Sequence, residues 1–141
     1  MDDIFEFRAF LVCDDVRREI SGKEILIGVY GDGLVVPSFP ATIRNLVFRV
    51  TGVVRLESAG DLVFRLEDQD GKAKGEARGS VPAATTPRFV SFNFAFENTT
   101  FEEEVVLTAM FGFGDRIRKV GTFSIKLPSN EQERVRASVS A

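Results

Sequence analysis

Residues 13–19 read CDDVRRE, placing a thiol, two adjacent carboxylates, two adjacent guanidinium groups and a further acid in one short stretch. In a binding site, Asp14 and Asp15 would polarise or hold one group while Arg17 and Arg18 gripped an anion. In a hairpin, the same residues decorate a solvated loop and bond their own backbone. One strand enters at Leu11, the chain turns near SGKE, and a second strand leaves as ILIGVY, so the hairpin is the stronger reading. It predicts that Asp14 or Asp15 bonds local amides or pairs with Arg17 or Arg18. Cys13 is in phase with Phe5, Phe7, Ala9 and Leu11, which predicts a buried and chemically quiet thiol.

Two other acidic sets invite a chemical reading. Asp14, Asp15, Asp32, Asp68 and Asp70 resemble the oxygen ligands of a calcium site built from loops. Successive loops of an antiparallel sandwich lie at alternate ends, so only Asp32, Asp68 and Asp70 can converge, with Glu102 as a fourth acid. DQDG is also what a tight turn requires for its own backbone. In FEEEV, residues 101–105, three glutamates offer general acid–base chemistry, yet neighbours in a strand point to opposite faces. A charged strand start that blocks unwanted pairing is the simpler reading.

Composition closes most enzymatic routes. The 141 residues contain no histidine, which removes imidazole-based triads and histidine-ligated zinc. The single cysteine cannot form an internal disulfide and fits a reducing compartment. Neither a G-x-x-x-x-G-K-[ST] loop nor a strand-linked G-x-G-x-x-G occurs. The expectation is a non-enzymatic protein with no catalytic residues, no cofactor and no metal. A net charge of −3, with basic residues scattered, leaves no footprint for nucleic acid. No apolar run reaches the ~20 residues that span a bilayer, and MDDIFEFRAF lacks a basic n-region, so a cytoplasmic protein is expected.

The elements that must position these residues are strands. LVFRV, DLVFRLED, RFVSFNFAFEN and GTFSIKLP alternate with period two, each with one apolar face. Gly- and Asp-rich turns separate them, giving strands near 4–13, 24–30, 43–54, 61–67, 73–79, 88–97, 103–112 and 116–127. VVPSFPA, 35–41, reads as a proline-stiffened crossing and VPAATTP, 81–87, as a loop. The expected fold is all-β, a single antiparallel β-sandwich of about seven to nine strands. The sandwich domain covers 1–128, and a polar tail, frayed helix or disordered, covers 129–141.

Fourteen phenylalanines test that register. Phe5, Phe7, Phe48, Phe64, Phe92, Phe94, Phe96, Phe111 and Phe123 fall on core faces. Phe39, Phe101 and Phe113 fall at loops or strand ends, where they fold over the open ends. Phe10 and Phe89 fall on the wet side, where an apolar patch calls for a cover. A second subunit is the favoured cover, so a homodimer through Phe10 and Phe89 is expected, with the tail as the competitor.

The stretch FLVCDDVRREISGKEILIGVYGDGLVVPSFPATIRNLVF, residues 10–48, resembles an uncharacterised bacterial family, a domain of unknown function. Its marks are the CDD-x-R-x-E hairpin, the GVY strand and the P-S-F-P crossing. The resemblance implies a sandwich fold and carries no site. The wider pattern is similar to immunoglobulin-like and transthyretin-like sandwiches, a fold-level analogy without function. The reading that results is a cytoplasmic protein-interaction or structural module, with a ligand- or calcium-binding sandwich as the alternative.

Overall fold

The alternation of period two becomes nine strands in the computed structural model, which describes residues 4–57 and 60–129. They are β1 (Phe5–Arg18), β2 (Glu24–Val29), β3 (Gly33–Val35), β4 (Ala41–Leu56), β5 (Gly60–Glu67), β6 (Ala73–Val81), β7 (Ala84–Phe101), β8 (Val105–Phe113) and β9 (Arg116–Lys126). One sheet has the order β2-β1-β4-β7 and the other β3-β9-β8-β5-β6. All pairings are antiparallel except β3 with β9, which is parallel, so the second sheet is mixed. That corrects the purely antiparallel expectation. Residues 30–32 carry the chain from β2 in the first sheet to β3 in the second, and the proline-rich crossing then returns it to β4 in the first.

Two boundaries also move. VPAATTP is not a loop: β6 runs to Val81 and β7 starts at Ala84. CDDVRR is not a loop either, because β1 continues to Arg18. The expected tail from 130 onward lies outside the described residues.

One phenylalanine core joins the sheets. Phe64 of β5 stacks on Phe94 of β7 with ring centroids 4.4 Å apart and planes 7° from parallel. Phe48 of β4 meets Phe64 and Phe123 from the other sheet, at 5.7 and 6.0 Å. Such pairs add to the burial of large apolar area. All nine phenylalanines assigned to core faces lie in this core or pack against it, and Phe101 and Phe113 are buried at its ends.

Phe10 is the exception to the register. Opposite β4, Phe7 faces Gly52 and Ala9 faces Thr51, so Arg8 is an extra residue, a β-bulge. A bulge shifts every later side chain to the opposite face. Phe10 and Val12 therefore turn inward, and Phe10 stacks on Phe48 at 6.3 Å. Its expected place on the wet side is overturned, and only Phe89 stays out, 63% exposed.

A side chain at Gly121 would collide with that ring, its Cβ lying 2.3 Å from Phe10 Cδ2. Gly121→Ala is therefore expected to cost about 1–3 kcal/mol in urea unfolding. Phe10→Leu in the same background should recover part of the loss. An undiminished Gly121→Ala protein would contradict the inward Phe10.

Candidate functional site

The charged stretch belongs to a strand with two successive partners. β1 pairs with β4 through Phe5–Cys13 and with β2 through Cys13–Arg18, so Cys13 alone lies in both ladders. Beyond it β1 and β2 form a two-stranded arm. Its tip is a three-residue loop with a bulge: Gly22 N donates to Glu19 O, Glu19 N donates to Lys23 O, and Gly22 takes φ +90°. DQDGK repeats this turn between β5 and β6, with Gly71 at φ +80°.

The arm folds back over the sheet. Glu24 pairs with Arg18, while Arg49 pairs with Leu11, seven residues earlier on β1. A straight strand would separate those levels by about 23 Å. Yet Arg49 Nη1 lies 2.9 Å from Glu24 Oε1. The bend has a visible origin. Hydrogen-bonded pairs recur every two residues in a regular antiparallel ladder. Here Tyr30 N donates to Val12 O and Glu19 N to Lys23 O, an odd number of residues apart along β1. The ladder skips the Asp14–Gly28 pair, and Gly28 takes φ +67°, so the change of phase falls there.

A polar clamp fastens the arm. Arg49 donates to Glu24, to Asn93 Oδ1 at 3.1 Å and to Ser91 Oγ at 2.9 Å, and Asn93 Nδ2 donates to Glu24 Oε2 at 2.7 Å. The Arg49 and Glu24 side chains are 13% and 14% exposed. Burial pushes the Glu24 carboxyl up, but its bonds to Arg49 and Asn93 outweigh this and hold it below the ordinary range. Cys13 and Val47 are buried, yet neither belongs to the core between the sheets. They face the other way, under the arm. Burial raises the Cys13 thiol above its usual range, against the weaker opposing effects of the Asp15 carbonyl and Arg49.

The arm parts the residues that CDDVRRE suggested as a group. Asp14 accepts from the Tyr30 hydroxyl and faces a cleft of about 540 Å³ lined by Leu34, Val36, Pro37 and Arg44. Burial, then the bond to Asp14, raises the Tyr30 phenol above its usual range. Asp15 accepts from Val16 N at 2.9 Å and pairs with Arg17 at 3.1 Å, the local bonding expected. Arg17 and Arg18 are mostly exposed, and Arg18 leans toward Glu24 at 3.7 Å. Asp68, Asp70 and Glu102 line one hollow, but Asp32 is not in its wall. Asp68 accepts from Asp70 N and Lys72 N and pairs with Lys74, interactions that hold its carboxyl low. Among the described residues no group of three or more His, Cys, Asp or Glu is placed to hold a metal. The glutamates of FEEEV form the β7–β8 turn, where Glu104 accepts from Leu127 N. Glu24, Arg49 and Asn93 were not singled out by the sequence reading. Their signal was present in the unbroken apolar runs AFLVC and LVF, which require cover on both faces.

On its far side the arm shows Ile25 and Ile27, 45% and 40% exposed; Val29, past the phase change at Gly28, is 56% exposed, and Ile20 at the tip is fully exposed. Ile25 and Ile27 alternate along β2, an edge strand. The other edges are blunted. β6 carries Lys74, Glu76 and Arg78, and β3 is three residues long. β7 is interrupted by Pro87 and by Asn98 at φ +50°. These are recognised ways of stopping strand addition. β2 has none of them beyond the kink at Gly28.

Residues 8–139 match the model of a family of unknown function. A search of curated proteins finds no match. A solved structure described as "X-ray structure of Northeast Structural Genomics Consortium target SoR45" is similar at 12% identity over 91% of this chain and 90% of that one, with a TM-score of 0.33. That likeness carries no argument about fold or function. No helix among the described residues is long and apolar enough to cross a membrane.

Two outcomes follow from the clamp. Arg49→Met strands a largely buried carboxylate, so it should cost about 2–3 kcal/mol and speed native labelling of Cys13 by a thiol reagent. Labelling as slow as in the wild type would show that the arm does not depend on Arg49. Glu24 has a folded pKa below its ordinary 4.5, so its contribution is present above that value and lost as pH falls through the lower folded one. Between about pH 5 and pH 3 the wild type should lose more unfolding free energy than Glu24→Gln. Equal losses would remove Glu24 from the acid response.

Proposed function

The chain belongs to DUF6941, a family of unknown function, and on that premise we propose a non-catalytic interaction module whose contact surface is the free edge of the hairpin arm. The observation that carries the reading is the contrast between edges. Three are charged, short or interrupted, while β2 keeps an alternating apolar row in solvent. An open strand edge supplies main-chain hydrogen bonds, and alternate side chains supply selectivity, which is the physics of strand addition. Chemistry finds less support. The chain has no histidine, and the residues of CDDVRRE point to different partners.

The clamp supports the same reading. An arm left to wave would lose much of its ordering on binding, whereas a fastened arm presents its row already ordered. Two sheets around one core also suit a sandwich of immunoglobulin-like or transthyretin-like type, an analogy that adds no site. The buried single thiol fits a reducing, cytoplasmic setting.

A photo-crosslinking amino acid at position 27, introduced in the producing cells, tests the proposal. Discrete adducts of higher mass are expected there, and none from the same group at Glu103, an exposed residue of the β7–β8 turn away from the edge. A chain that yields no adduct from position 27 is not an interaction module of this kind.

A further inference from the structure

Where β1 leaves β4 for the arm, part of β4 becomes an edge. β1 follows β4 only as far as the Cys13–Val47 pair, so β4 from Ala41 to Leu46 has β7 on one side and, among the described residues, no strand on the other. The parity of that edge follows from one bond. Tyr30 N donates to Val12 O, so Val12 turns its backbone groups toward β2, and its neighbours Leu11 and Cys13 turn theirs toward β4. Their partners Arg49 and Val47 therefore face β1. Two and four residues before Val47, Asn45 and Ile43 direct their N–H and C=O groups to that same side.

The cleft beside Asp14 lies along this edge. It is lined by residues 34–37 and 42–45, four in succession from each segment. Successive side chains of a strand point to opposite faces, so a wall that includes four in a row is an edge and not a face. The wall opposite β4 is the end of β3, itself an edge strand of the second sheet. One edge from each sheet thus bounds the cleft.

We infer that residues 130–141 of this same chain lie along the cleft as a strand added to β4. The inference concerns a different edge from that of the arm and does not rest on the reading of the arm. The described chain leads to the cleft. Val36, in its wall, donates from its backbone N to Lys126 O at 2.9 Å, and Ser129 is three residues beyond Lys126. Six extended residues from there reach about 20 Å. VRASVSA, 135–141, then alternates Val135, Ala137 and Val139 with Arg136, Ser138 and Ser140, the period of a strand. The charges agree. Asp14 accepts from Tyr30 but has no ion pair among the described residues, and the segment brings Arg134 and Arg136. The family model also runs on to residue 139, well past the end of β9 at Lys126.

Amide hydrogen exchange, followed residue by residue by NMR in the full chain, tests the placement. The Ile43 and Asn45 amides should exchange at least about tenfold slower than in a full-length variant carrying Arg136→Pro and Ala137→Pro. Adjacent prolines remove a donor whichever parity the segment presents to β4, and they lie outside both sheets. Thr42 and Leu46, whose amides face β7, should keep the same rates in both proteins. A nitroxide on Ser138→Cys supplies a second reading, since Cys13 is buried. It should broaden the Asn45 signal more than that of Asp115, in the β8–β9 turn at the opposite end of β9 from Lys126. Fast exchange of both amides in the wild type, equal rates in the proline variant, or broadening no greater at Asn45 than at Asp115 would overturn the proposal. Protection that falls on about tenfold dilution would place the segment of a second copy in the cleft and overturn the placement within one chain.

Discussion

Strand β1 serves two neighbours in series, β4 as far as Cys13 and β2 from Cys13 onward, and most features of the surface follow from that division. A two-stranded ribbon that left the sheet alone would be marginal in water. The arm avoids this by turning back at Gly28 and lying on the sheet it came from. Cys13 and Val47 then lose solvent on the outer face while Val12 and Phe48 lose it on the inner one. One sheet is thus covered on both sides over part of its area, by β-strands in each case.

That cover sets the chemistry of the clamp. Arg49 would be an ordinary exposed residue of β4 if the arm were absent. Beneath the arm it donates to three side-chain oxygens, and among the described residues no buried side-chain nitrogen or oxygen lacks a partner. A charge this far from water is tolerable only when its donors are satisfied. Ser91, Asn93 and Glu24 therefore act together, and the arm's position is set by a group that tolerates little misplacement.

The sequence made the strands legible because phenylalanine alternates so regularly in LVFRV, DLVFRLED and RFVSFNFAFEN, and both DGK and SGK turns followed from their glycines. The hairpin was legible too, and so was the burial of Cys13, though for a different reason. The phase of Phe5, Phe7, Ala9 and Leu11 is broken at Arg8, and a bulge leaves no mark in composition when an arginine is simply tucked between two ladder pairs. Phe10 was misplaced by that one residue. The fold-back of the arm was out of reach for a different reason. It depends on a positive φ at Gly28, and the glycine in IGVY reads equally well as an ordinary strand residue. Acidic residues drew attention at Asp14, Asp68 and Asp70 because they cluster in sequence, whereas Glu24, Arg49 and Asn93 meet only in space.

The parallel pairing of β3 with β9 has a consequence for how the molecule comes into being. Gly33–Val35 sits beside Ser124–Lys126, so this contact closes a loop of about 90 residues. Hairpins β1–β2, β5–β6 and β8–β9 are local and can form early, but β3 has no neighbour in its sheet until β9 has left the ribosome. During synthesis the crossing segment and the row from Leu34 to Val36 therefore wait in solvent, with the arm's edge open beside them. Val36, buried in the finished fold, has no such cover until the last strand is in place.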